Sequence, residues 1–512
     1  MTAKVLYLSE LSSAGDWQDF TGSVVCFGHF NAIHPGHIRY FLKARQYGSP
    51  LVVALEGDAL LAEIERTNSF EEYERAQAVA ALDMIDYVVI LDTSALENFV
   101  GKVSLAALVL GREFEQSRAE KVYLAVTQVL EKGAEVFYDA GETHYASAEF
   151  FHASPRELEN ERWHAFQAAQ KAHSVSLSET FLTLSKTDSP RILVVGDSII
   201  DQYVACEPVG MSNEAPVIVV KELESQEYVG GAAIVAAHVA ALGAHCIFLS
   251  VTGNDSPVEF LKTSLKDYGV DTRLLEDSSR PTTYKIRYLV ENQKLFRVSR
   301  LKEDRIPARV EDQLIKNITD MASSLDGILV SDFVYGVITP RVVETLLAVS
   351  RDHDLPLFGD LQCSSQVGNI SRFQHFHLIS PTEREARIAL SNQDDGIEFV
   401  ANLLMEKTHS ANLILKLGAG GFIAYNGEGT GEFLQRQHFP ALTANPIDVA
   451  GAGDALLAAV SVGLVKGLSL MEASAIACCV SAIAVQTVGN RPVSLNQVHQ
   501  YLYQRNGLTD EI

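Results

Sequence analysis

Two segments of this 512-residue chain begin in the same way, with a short apolar run that leads into a glycine-containing turn. The first runs from Ser23 to Phe27 and is followed by Gly28, and the second runs from Arg191 to Val195 and is followed by Gly196. Strands of this kind, apolar on both faces, are typical of parallel sheets covered by helices on both sides. Helical and strand-like patterns alternate after each, so the sequence predicts α/β architecture in both halves.

The predicted domains differ in length and are separated by a segment of different composition. The first domain covers residues 1–150 and the second covers 190–512. Residues 151–189 begin with a charged run and become rich in Ser and Thr, which favours a helical linker. The second domain is long enough for one large α/β domain with a small appended sheet.

Composition limits the partners that the chain is expected to have. Asp and Glu number 65 and Lys and Arg 41, which gives a formal net charge of −24. Such a surface repels nucleic acid and anionic lipid, although a local basic pocket can still bind an anionic substrate. The six cysteines form no CxxC pair, and the N-terminus lacks a basic segment followed by an apolar core. We therefore expect a soluble, cytoplasmic protein that binds neither nucleic acid nor membrane.

A histidine pair follows the first predicted strand. His34 and His37 lie three residues apart where a helix is predicted to begin. Both can face one bound anion there, and the free N–H groups and the helix dipole favour phosphate. Gly36 lets a phosphate approach the backbone closely. The pattern indicates stabilisation of a transferring nucleotide phosphate, the alternative being two ordinary histidines in a turn.

The segment GHFNAIHPGH resembles the signature of the cytidylyltransferase-like nucleotidyltransferases, and the resemblance covers roughly residues 20–150. It implies a Rossmann-like domain in which both histidines bind the triphosphate and stabilise the transition state. Asn31 stands where that family has Asp. The alternative is therefore a catalytically silent domain used for assembly or nucleotide sensing. Besides the histidines, the resemblance implies nucleotide binding by Gly28, Phe30, Gly36 and Arg75.

A second constellation, Asp448 to Asp454, precedes a strongly apolar helix. Its small residues leave backbone N–H groups free to hold an anion, which predicts an anion hole at Gly451, Ala452 and Gly453. Asp454 lies in the first helical turn and can deprotonate an alcohol while those N–H groups stabilise a transferring phosphoryl group. The alternative is a helix cap with flexible glycines, which explains one Asp but not two.

This segment resembles the D-T-x-G-A-G-D signature of the ribokinase-like (PfkB) carbohydrate kinases, and the likeness spans about residues 175–505. It implies a ribokinase-like α/β domain with a small β-sheet lid, ATP and Mg²⁺ as cofactors, and a homodimer formed through the lid. Glu385 matches the magnesium motif, the alternative being a surface helix residue. The resemblance assigns sugar binding to Asp197, Asp201, Gly230 and Gly231, and nucleotide binding to Lys416, Gly418, Gly420 and Gly421.

Three cationic side chains stand out in this acidic chain. Lys285 and Arg287 alternate along a candidate strand, so they share one face, and Arg297 follows on the next strand. A substrate that already carries a phosphate needs such a pair, and we expect Lys285, Arg287 and Arg297 to bind the substrate. The alternative is a solvated strand face with cross-strand pairing.

Motifs around these cations resemble the heptose-phosphate kinases, and the two domains together resemble the bifunctional heptose-7-phosphate kinase and ADP-heptose synthase family in reversed order. The resemblance implies an ATP-dependent kinase of a heptose 7-phosphate-like sugar, fused to a sugar-1-phosphate nucleotidyltransferase. Ile234 and Gln362 replace an Asn and a Lys of relatives, which leaves another sugar phosphate open as the acceptor. A third hypothesis is a non-catalytic regulatory protein, and the intact G-A-G-D argues against it.

Overall fold

The computed structural model describes residues 3–11, 17–31, 33, 35–61, 70–92, 96–111, 120–139, 155–186, 189–212, 214, 217–290, 293–362, 368–427 and 435–506. The chain divides into two compact units. The first comprises Met1–Ser154 with Asn392–Val400, and the second comprises Pro155–Ser391 with Ala401–Ile512. Within the ranges described, no helix combines the length and the apolar character needed to cross a membrane.

The first unit contains a six-stranded parallel sheet in the order β1-β4-β3-β2-β5-β6. Its strands are buried because helices cover both faces, as the apolar runs predicted. The strands are β1 Lys4–Tyr7, β2 Val24–Gly28, β3 Leu51–Glu56, β4 Tyr87–Leu91, β5 Ala107–Gly111 and β6 Glu135–Asp139. The helices are α1 Pro35–Gln46, α2 Glu72–Ala80, α3 Leu96–Val100 and α4 Glu120–Glu131.

The strand order of the first unit reverses at β2. From β2 the chain builds outwards through β3 to one side and through β5 to the other. Open α/β sheets bind ligands in the crevice beyond the carboxyl ends of the strands at such a switch point. The helix that follows β2, which carries the predicted histidine motif, begins at this position.

The second unit is built on a nine-stranded sheet and a separate four-stranded sheet. The large sheet has the order β11-β10-β7-β14-β15-β16-β17-β18-β19 and is parallel as far as β17. Its strands are β7 Arg191–Gly196, β10 His245–Thr252, β11 Asp271–Glu276, β14 Gly327–Asp332, β15 Leu357–Leu361, β16 Leu378–Ile379, β17 Asn412–Lys416, β18 Phe422–Asn426 and β19 Gln435–Phe439. The small sheet has the order β13-β12-β8-β9 and consists of β8 Ser198–Met211, β9 Ile218–Gly231, β12 Tyr284–Val290 and β13 Gln293–Arg300.

Helices cover the large sheet. Those that are apolar all round lie inside the core, as α13 and α14 do, because no face of such a helix suits water. The helices are α5 Pro155–Ala172, α6 Leu177–Ser185, α7 Ala232–Ala241, α8 Pro257–Asp267, α9 Ala308–Met321, α10 Pro340–His353, α11 Glu383–Leu390, α12 Ile397–Thr408, α13 Ala452–Val465, α14 Leu470–Ala484 and α15 Leu495–Asn506. Both units are thus α/β, and the second carries a small sheet, which confirms the predicted fold class.

The segment predicted as a linker forms α5 and α6, and both helices pack within the second unit. Phe166 is fully buried and Trp163 is nearly so, in the same core cluster as α13 and α14. Lys466 donates hydrogen bonds to the carbonyls of Leu184 and Lys186 at the end of α6. An apolar stripe on each helix drives this packing, since burial of aromatic side chains is strongly favourable.

We expect Phe166→Ala to lower the free energy of unfolding of the second unit by about 3–5 kcal/mol, because it leaves a cavity in that core. The chain has two tryptophans, Trp17 in the first unit and Trp163 in the second. Urea denaturation in a Trp17→Phe background, followed by fluorescence, therefore reports on the second unit. Leu182→Ala, at a side chain of α6 that is 45% exposed, is the matched control and should change little. Equal stabilities for the two variants would contradict the packing of α5.

Candidate functional site

A cavity of about 560 Å³ opens in the second unit beyond the carboxyl ends of β15, β16 and β17. This size is typical of small-molecule sites, and the position is the usual one in an open α/β sheet. Apolar side chains line one part of it and the Asp454 loop lines another. The polar part includes Gln362, Thr382, Glu385, Lys416 and Asp454, and the apolar part includes Phe422, Leu442, Cys478 and Val485.

Four polar side chains form a buried chain of hydrogen bonds at the inner end of the cavity. The Gln362 amide donates to Asp454 Oδ1 at 2.7 Å and lies 3.3 Å from Asp360 Oδ2. Lys416 Nζ donates to the same Asp360 oxygen at 2.8 Å. Asp360 is fully buried and Asp454 is 6% exposed. Two carboxylates are thus held close together with a single cation beside them.

This crowding changes the protonation of Asp454. Burial, followed by the neighbouring Asp360 carboxylate, raises the pKa of Asp454 to about 7. Burial also raises the pKa of Asp360. For Lys416, burial alone would lower the pKa, but the carboxylates of Asp360 and Glu385 raise it, so the amine remains charged. A carboxyl group whose pKa lies near neutrality is suited to accept a proton at physiological pH.

The loop before α13 has the conformation expected of an anion hole. Gly451 takes a left-handed conformation with φ 79° and caps the helix. A Cβ atom on Gly451 would lie 2.5 Å from Asn490 Oδ1, so only glycine fits. Within the described chain, the N–H groups of Gly453 and Asp454 have no hydrogen-bond acceptor assigned. They lie at a helix N-terminus, where an anion is favoured, whereas the Ala452 N–H donates to the Val449 carbonyl at 3.4 Å.

The predicted nucleotide-phosphate turn lies beside the same cavity. Gly418, with φ 61°, and Gly421, with φ 87°, both line it. A Cβ atom on Gly421 would lie 2.1 Å from the carbonyl oxygen of Phe439. Gly420 does not line the cavity, and its carbonyl instead lies 2.7 Å from His438 Nε2. Lys416 approaches the anion hole, since a Cβ atom on Gly453 would lie 3.4 Å from Lys416 Nζ.

Glu385, predicted as the metal ligand, has a structural role and also lines the cavity. It is the third residue of α11 and forms a capping box with Thr382, whose N–H and hydroxyl both donate to Glu385 Oε2 at 2.8 Å. Among the residues described, no three His, Cys, Asp or Glu side chains form a metal cage. Mg²⁺ commonly uses one or two protein carboxylates and completes its shell with phosphate oxygens and water, so Glu385 and Asp360 fit such an ion.

The other aspartate of the loop has the opposite environment. Asp448 accepts hydrogen bonds from the Tyr203 hydroxyl at 2.7 Å and from Lys294 Nζ at 3.0 Å. These bonds, together with the Ala450 N–H, outweigh burial and lower the pKa of Asp448. Tyr203 and Lys294 belong to the small sheet, so Asp448 ties the loop to that sheet. The pKa values of the two aspartates are thus moved apart, that of Asp454 upwards and that of Asp448 downwards.

The sugar-side predictions converge on Asp201. Its carboxylate accepts a hydrogen bond from Arg287 Nη2 at 2.6 Å and lies 3.5 Å from Asn490 Nδ2. A Cβ atom on Gly230 would lie 2.3 Å from Asp201 Oδ2, so glycine is required there. The Asp201 carboxylate also raises the pKa of Asp454, after burial and Asp360. The structure thus brings Asp201, Arg287 and Gly230 together in the neighbourhood of Asp454.

The remaining sugar-side residues take different positions. Asp197 accepts hydrogen bonds from the backbone N–H groups of Phe333, Tyr335 and Val337, so its carboxylate organises that turn. Gly231 caps α7 with φ 60°. Lys285 is 3% exposed and lies above the rings of Phe333 and Tyr335 at 5.5 and 5.1 Å. Arg297 lies opposite Arg287 on β13 and is exposed.

The two cations predicted to bind a phosphate are therefore not equivalent. The Arg287 charge is balanced by Asp201. Over the described ranges, Lys285 has no carboxylate within ion-pair distance, although it is nearly fully buried. The Lys285 ammonium thus packs over two aromatic rings, whereas the Arg287 guanidinium is paired with a carboxylate.

In the first unit, His37 lies in the first turn of α1 at the switch point of the sheet. The Phe30 ring packs edge-on against the His37 imidazole, with centroids 5.2 Å apart. A Cβ atom on Gly28 would lie 2.8 Å from the Phe30 ring, so glycine makes room for it. Gly36 belongs to the same helical turn, and His34 lies outside the described residues.

Arg75 connects the loops around this position. It is 1% exposed and donates to the carbonyls of Phe70, His29 and Glu56 and to Asp58 Oδ1, at 2.6 to 3.0 Å. Asn31 Oδ1 accepts the Phe70 N–H at 2.7 Å. Four of the five N–H donors of Arg75 are thus used within the fold, which is a structural role in addition to the predicted nucleotide contact.

Two site residues were not found by sequence reasoning. Asn490 lies between Asp201 and Gly451, and no motif marks it. Arg162, on α5, also lines the cavity. A charged residue on a predicted linker helix gives no signal by itself, since such charges usually face water.

Two known protein families match different parts of the chain. Residues 189–496 match the pfkB family carbohydrate kinase, and residues 25–215 match the cytidylyltransferase-like family. The bifunctional protein HldE of Geotalea uraniireducens is 31% identical over 312 residues, which are 60% of this chain and 62% of that protein. HldE of Helicobacter pylori is 29% identical over 61% of this chain and 66% of its own length. The match thus spans less than two thirds of these relatives.

Among solved structures, phosphofructokinase-2 from Escherichia coli, in complex with substrates and products, has a similar fold. It superimposes with a TM-score of 0.51 at 15% identity and covers 62% of this chain and 99% of that one. At this identity the likeness shows the fold alone, and the fold is ribokinase-like as predicted.

The Asp454 carboxyl should make the stability of the chain depend on pH. Its pKa is about 7 in the folded protein and ordinarily 3.8, so between these values the folded chain binds more protons than the unfolded chain. Stability therefore falls as pH rises through that window, and Asp454→Asn removes the loss. We expect the variant to gain several degrees in Tm relative to wild type between about pH 5 and pH 8. Asp352→Asn, at a side chain that is 63% exposed, is the control. A Tm difference that is constant with pH would contradict the raised pKa.

Proposed function

The chain belongs to the pfkB family of carbohydrate kinases, and on that premise we propose that its second unit transfers the γ-phosphoryl group of ATP to a hydroxyl of a sugar phosphate. The observation that carries this proposal is the placement of Asp454. Its carboxyl has a pKa near neutrality, it lies beside N–H groups at a helix N-terminus, and Asp201 lies nearby. Base, anion hole and hydroxyl-binding group are thus contributed by neighbouring elements.

The transfer follows from these positions. A sugar hydroxyl held near Asp201 gives its proton to Asp454 while its oxygen attacks the γ-phosphorus. The bond from that phosphorus to the bridging oxygen breaks, and its electron pair leaves with ADP. The Gly453 and Asp454 N–H groups and the Lys416 ammonium stabilise the negative charge on the transferring group. Asp201 positions the hydroxyl, and Arg287 and Asn490 hold Asp201 in place.

A magnesium ion fits the inner end of the cavity. Glu385 and Asp360 would hold it, directly or through water, together with phosphate oxygens of the nucleotide. When bound, the ion supplies charge neutralisation on the phosphates. Asp360 Oδ1 is buried and, in the part of the chain that is described, has no hydrogen-bond donor, which suits a further positive partner there.

The acceptor proposed is a heptose 7-phosphate-like sugar, phosphorylated at its anomeric hydroxyl. Sequence motifs similar to the heptose-phosphate kinases support the sugar, and Lys285 supports the phosphate. Its ammonium is nearly fully buried and has no carboxylate partner among the residues that the structure describes, while Arg287 is paired with Asp201. We therefore assign the substrate phosphate to Lys285 and the positioning of Asp201 to Arg287.

For the first unit we propose nucleotidyl transfer to a sugar 1-phosphate, with His37 at the helix N-terminus beyond β2 as the group that faces the nucleotide phosphates. The switch-point position and the match to the cytidylyltransferase-like family support it. One observation favours the alternative of a catalytically silent domain. Asn31 stands in place of the family's Asp, and its side-chain oxygen accepts a hydrogen bond from the Phe70 N–H. An Asn side chain also carries no charge with which to bind a metal–nucleotide complex.

We further propose that the chain forms a homodimer through the small sheet. Strand β9 has exposed apolar side chains, among them Ile218 at 65% and Leu223 at 61% exposure, and Phe296 on β13 is 50% exposed. Apolar side chains clustered on one sheet are typical of a protein interface, and a partner sheet would remove them from water. A small-molecule sugar phosphate and a nucleotide are the other partners proposed.

One assay separates the three hypotheses. The chain is incubated with ATP and heptose 7-phosphate, and in parallel with ATP or CTP and sugar 1-phosphates, and release of ADP and of pyrophosphate is measured. Sugar-dependent ADP release is expected, with kcat/KM falling below about pH 7 as Asp454 becomes protonated. Asp454→Asn should lower kcat by about 10²–10⁴-fold.

The outcomes of that assay differ between the hypotheses. ADP with pyrophosphate, the latter lost in His37→Ala, supports the bifunctional enzyme. ADP alone favours the silent first unit. Release of pyrophosphate without sugar-dependent ADP overturns the kinase. Release of neither ADP nor pyrophosphate would support the regulatory hypothesis. An Asp454→Asn variant that keeps its kinase activity would contradict the assignment of the base.

The roles of the cations give a separate prediction. Lys285→Met should raise the KM for the sugar phosphate by about 10–100-fold, because it removes a charge-assisted contact worth about 1.5–3 kcal/mol. The KM for ATP should stay unchanged, and discrimination against the unphosphorylated sugar should fall. Arg297→Met, on an exposed side chain of the neighbouring strand, is the matched control and should have little effect. An equal effect of both variants would show that the lid charge as a whole, not Lys285, attracts the phosphate.

A further inference from the structure

The helices α5 and α6 lie before residue 189, where the match to the pfkB family begins, yet they form part of the second unit. Specific side-chain contacts fix the position of α5 in the second unit. Phe166 packs against Phe439 of β19 with ring centroids 6.4 Å apart, and His173 Nε2 lies 3.1 Å from Gln437 Oε1. Glu159 accepts a hydrogen bond from Arg505 Nη2 at 3.1 Å. A helix that lies outside the pfkB match thus packs directly beside the strand that leads into the cavity.

Arg162 of α5 reaches the cavity itself. Its Nη1 donates to the carbonyl oxygens of Ala441 and Thr443, at 3.0 and 2.7 Å. These residues belong to the segment Pro440–Ala444, every residue of which lines the cavity. The Arg162 guanidinium, which belongs to α5, therefore binds this wall of the cavity through two hydrogen bonds. Two hydrogen bonds from one charged group to one short segment fix its conformation.

The segment Pro440–Ala444 connects the two ends of the proposed nucleotide site. The backbone of Ala441 is adjacent to Gly421 of the phosphate turn, since a Cβ atom on Gly421 would lie 2.7 Å from Ala441 N. At its other end, the Thr443 hydroxyl donates to the Ala482 carbonyl at 3.1 Å. Ala482 lines the apolar part of the cavity with Leu442 and Val485. That part suits a purine base, whereas the anion hole and Lys416 suit the phosphates.

Some N–H donors of the Arg162 guanidinium are not used in the two hydrogen bonds to the cavity wall and can serve a ligand. Arginine has five N–H groups, and the two bonds to the wall come from Nη1. Across the described residues, Nε and Nη2 have no acceptor assigned and no carboxylate lies within ion-pair distance of Arg162. A planar cation that lines an apolar cavity can stack on a base or donate to its ring nitrogens or to the ribose.

We propose that Arg162 is a positioning residue of the nucleotide site, which shapes the wall at Ala441 to Thr443 and contacts the base-and-ribose end of a bound purine nucleoside triphosphate. The inference rests on the proposed use of this cavity for ATP. It makes α5 a functional part of the kinase unit.

Calorimetric titration of the full chain with ATP and Mg²⁺, without sugar, tests this proposal independently of the acceptor. Arg162→Met should weaken ATP binding by about tenfold or more, because it removes charge-assisted contacts. Arg162→Lys should recover part of the affinity, since an ammonium can still donate to one of the two carbonyls. In turnover, the KM for ATP should rise while kcat and the KM for the sugar change less than twofold.

Glu159→Gln is the matched control, because Glu159 lies on the same helix as Arg162, pairs with Arg505 of α15 and does not line the cavity. It should leave ATP binding within twofold of wild type. Equal weakening in Glu159→Gln and Arg162→Met would overturn the proposal, as would unchanged binding in Arg162→Met. Should Arg162→Met fail to fold, Arg162→Lys decides, and wild-type affinity together with wild-type KM in that variant would overturn it.

The same titration distinguishes failure of the inference from failure of the proposed function. Wild-type protein that binds no ATP overturns both. Wild-type protein that binds ATP with an affinity independent of Arg162 overturns the inference alone and leaves the kinase in place.

Discussion

The second unit is organised around a buried pair of carboxylates at the ends of its central strands. Asp360 and Asp454 share one amide, that of Gln362, and one cation, Lys416. Burial of two such groups is unfavourable unless at least one is paired or protonated. The single lysine satisfies Asp360, and Asp454 responds with a pKa near 7. The proposed chemistry depends on this imbalance, since a base at that position must be able to take and release a proton.

The surrounding elements keep that pair in place and out of water. The Gly451 turn brings the N-terminus of α13 to the cavity, and Asn490 lies where a side chain at Gly451 would be. Asp448, six residues before Asp454, is held by Tyr203 and Lys294 from the small sheet. One loop thus carries a carboxylate that links the two sheets and another that is free to titrate. A movement of the small sheet would therefore be transmitted through Asp448 to the loop that carries Asp454.

Local sequence signals yield predictions wherever chemistry and backbone geometry are encoded within a few neighbouring residues. The apolar runs before Gly28 and Gly196 predicted buried parallel strands, and both units contain them. The G-A-G-D segment predicted an anion hole and a base on one turn, because glycine, small side chains and a helix start are encoded within a few residues. The positions of Gly421 and Gly230 also follow from local or near-local packing. These features require no knowledge of distant contacts.

The sequence by itself determined the α/β class, the order of the two domains and the loop that carries Asp454. Only the tertiary structure decided which charges are available. Lys285 and Arg287 looked equivalent on one strand, yet Asp201 neutralises only Arg287. The helix with Arg162 looked like part of a linker, yet it packs against β19 and lines the cavity. The physical reason is that a pKa, an ion pair or a cavity wall depends on groups far apart in the chain, which folding alone brings together.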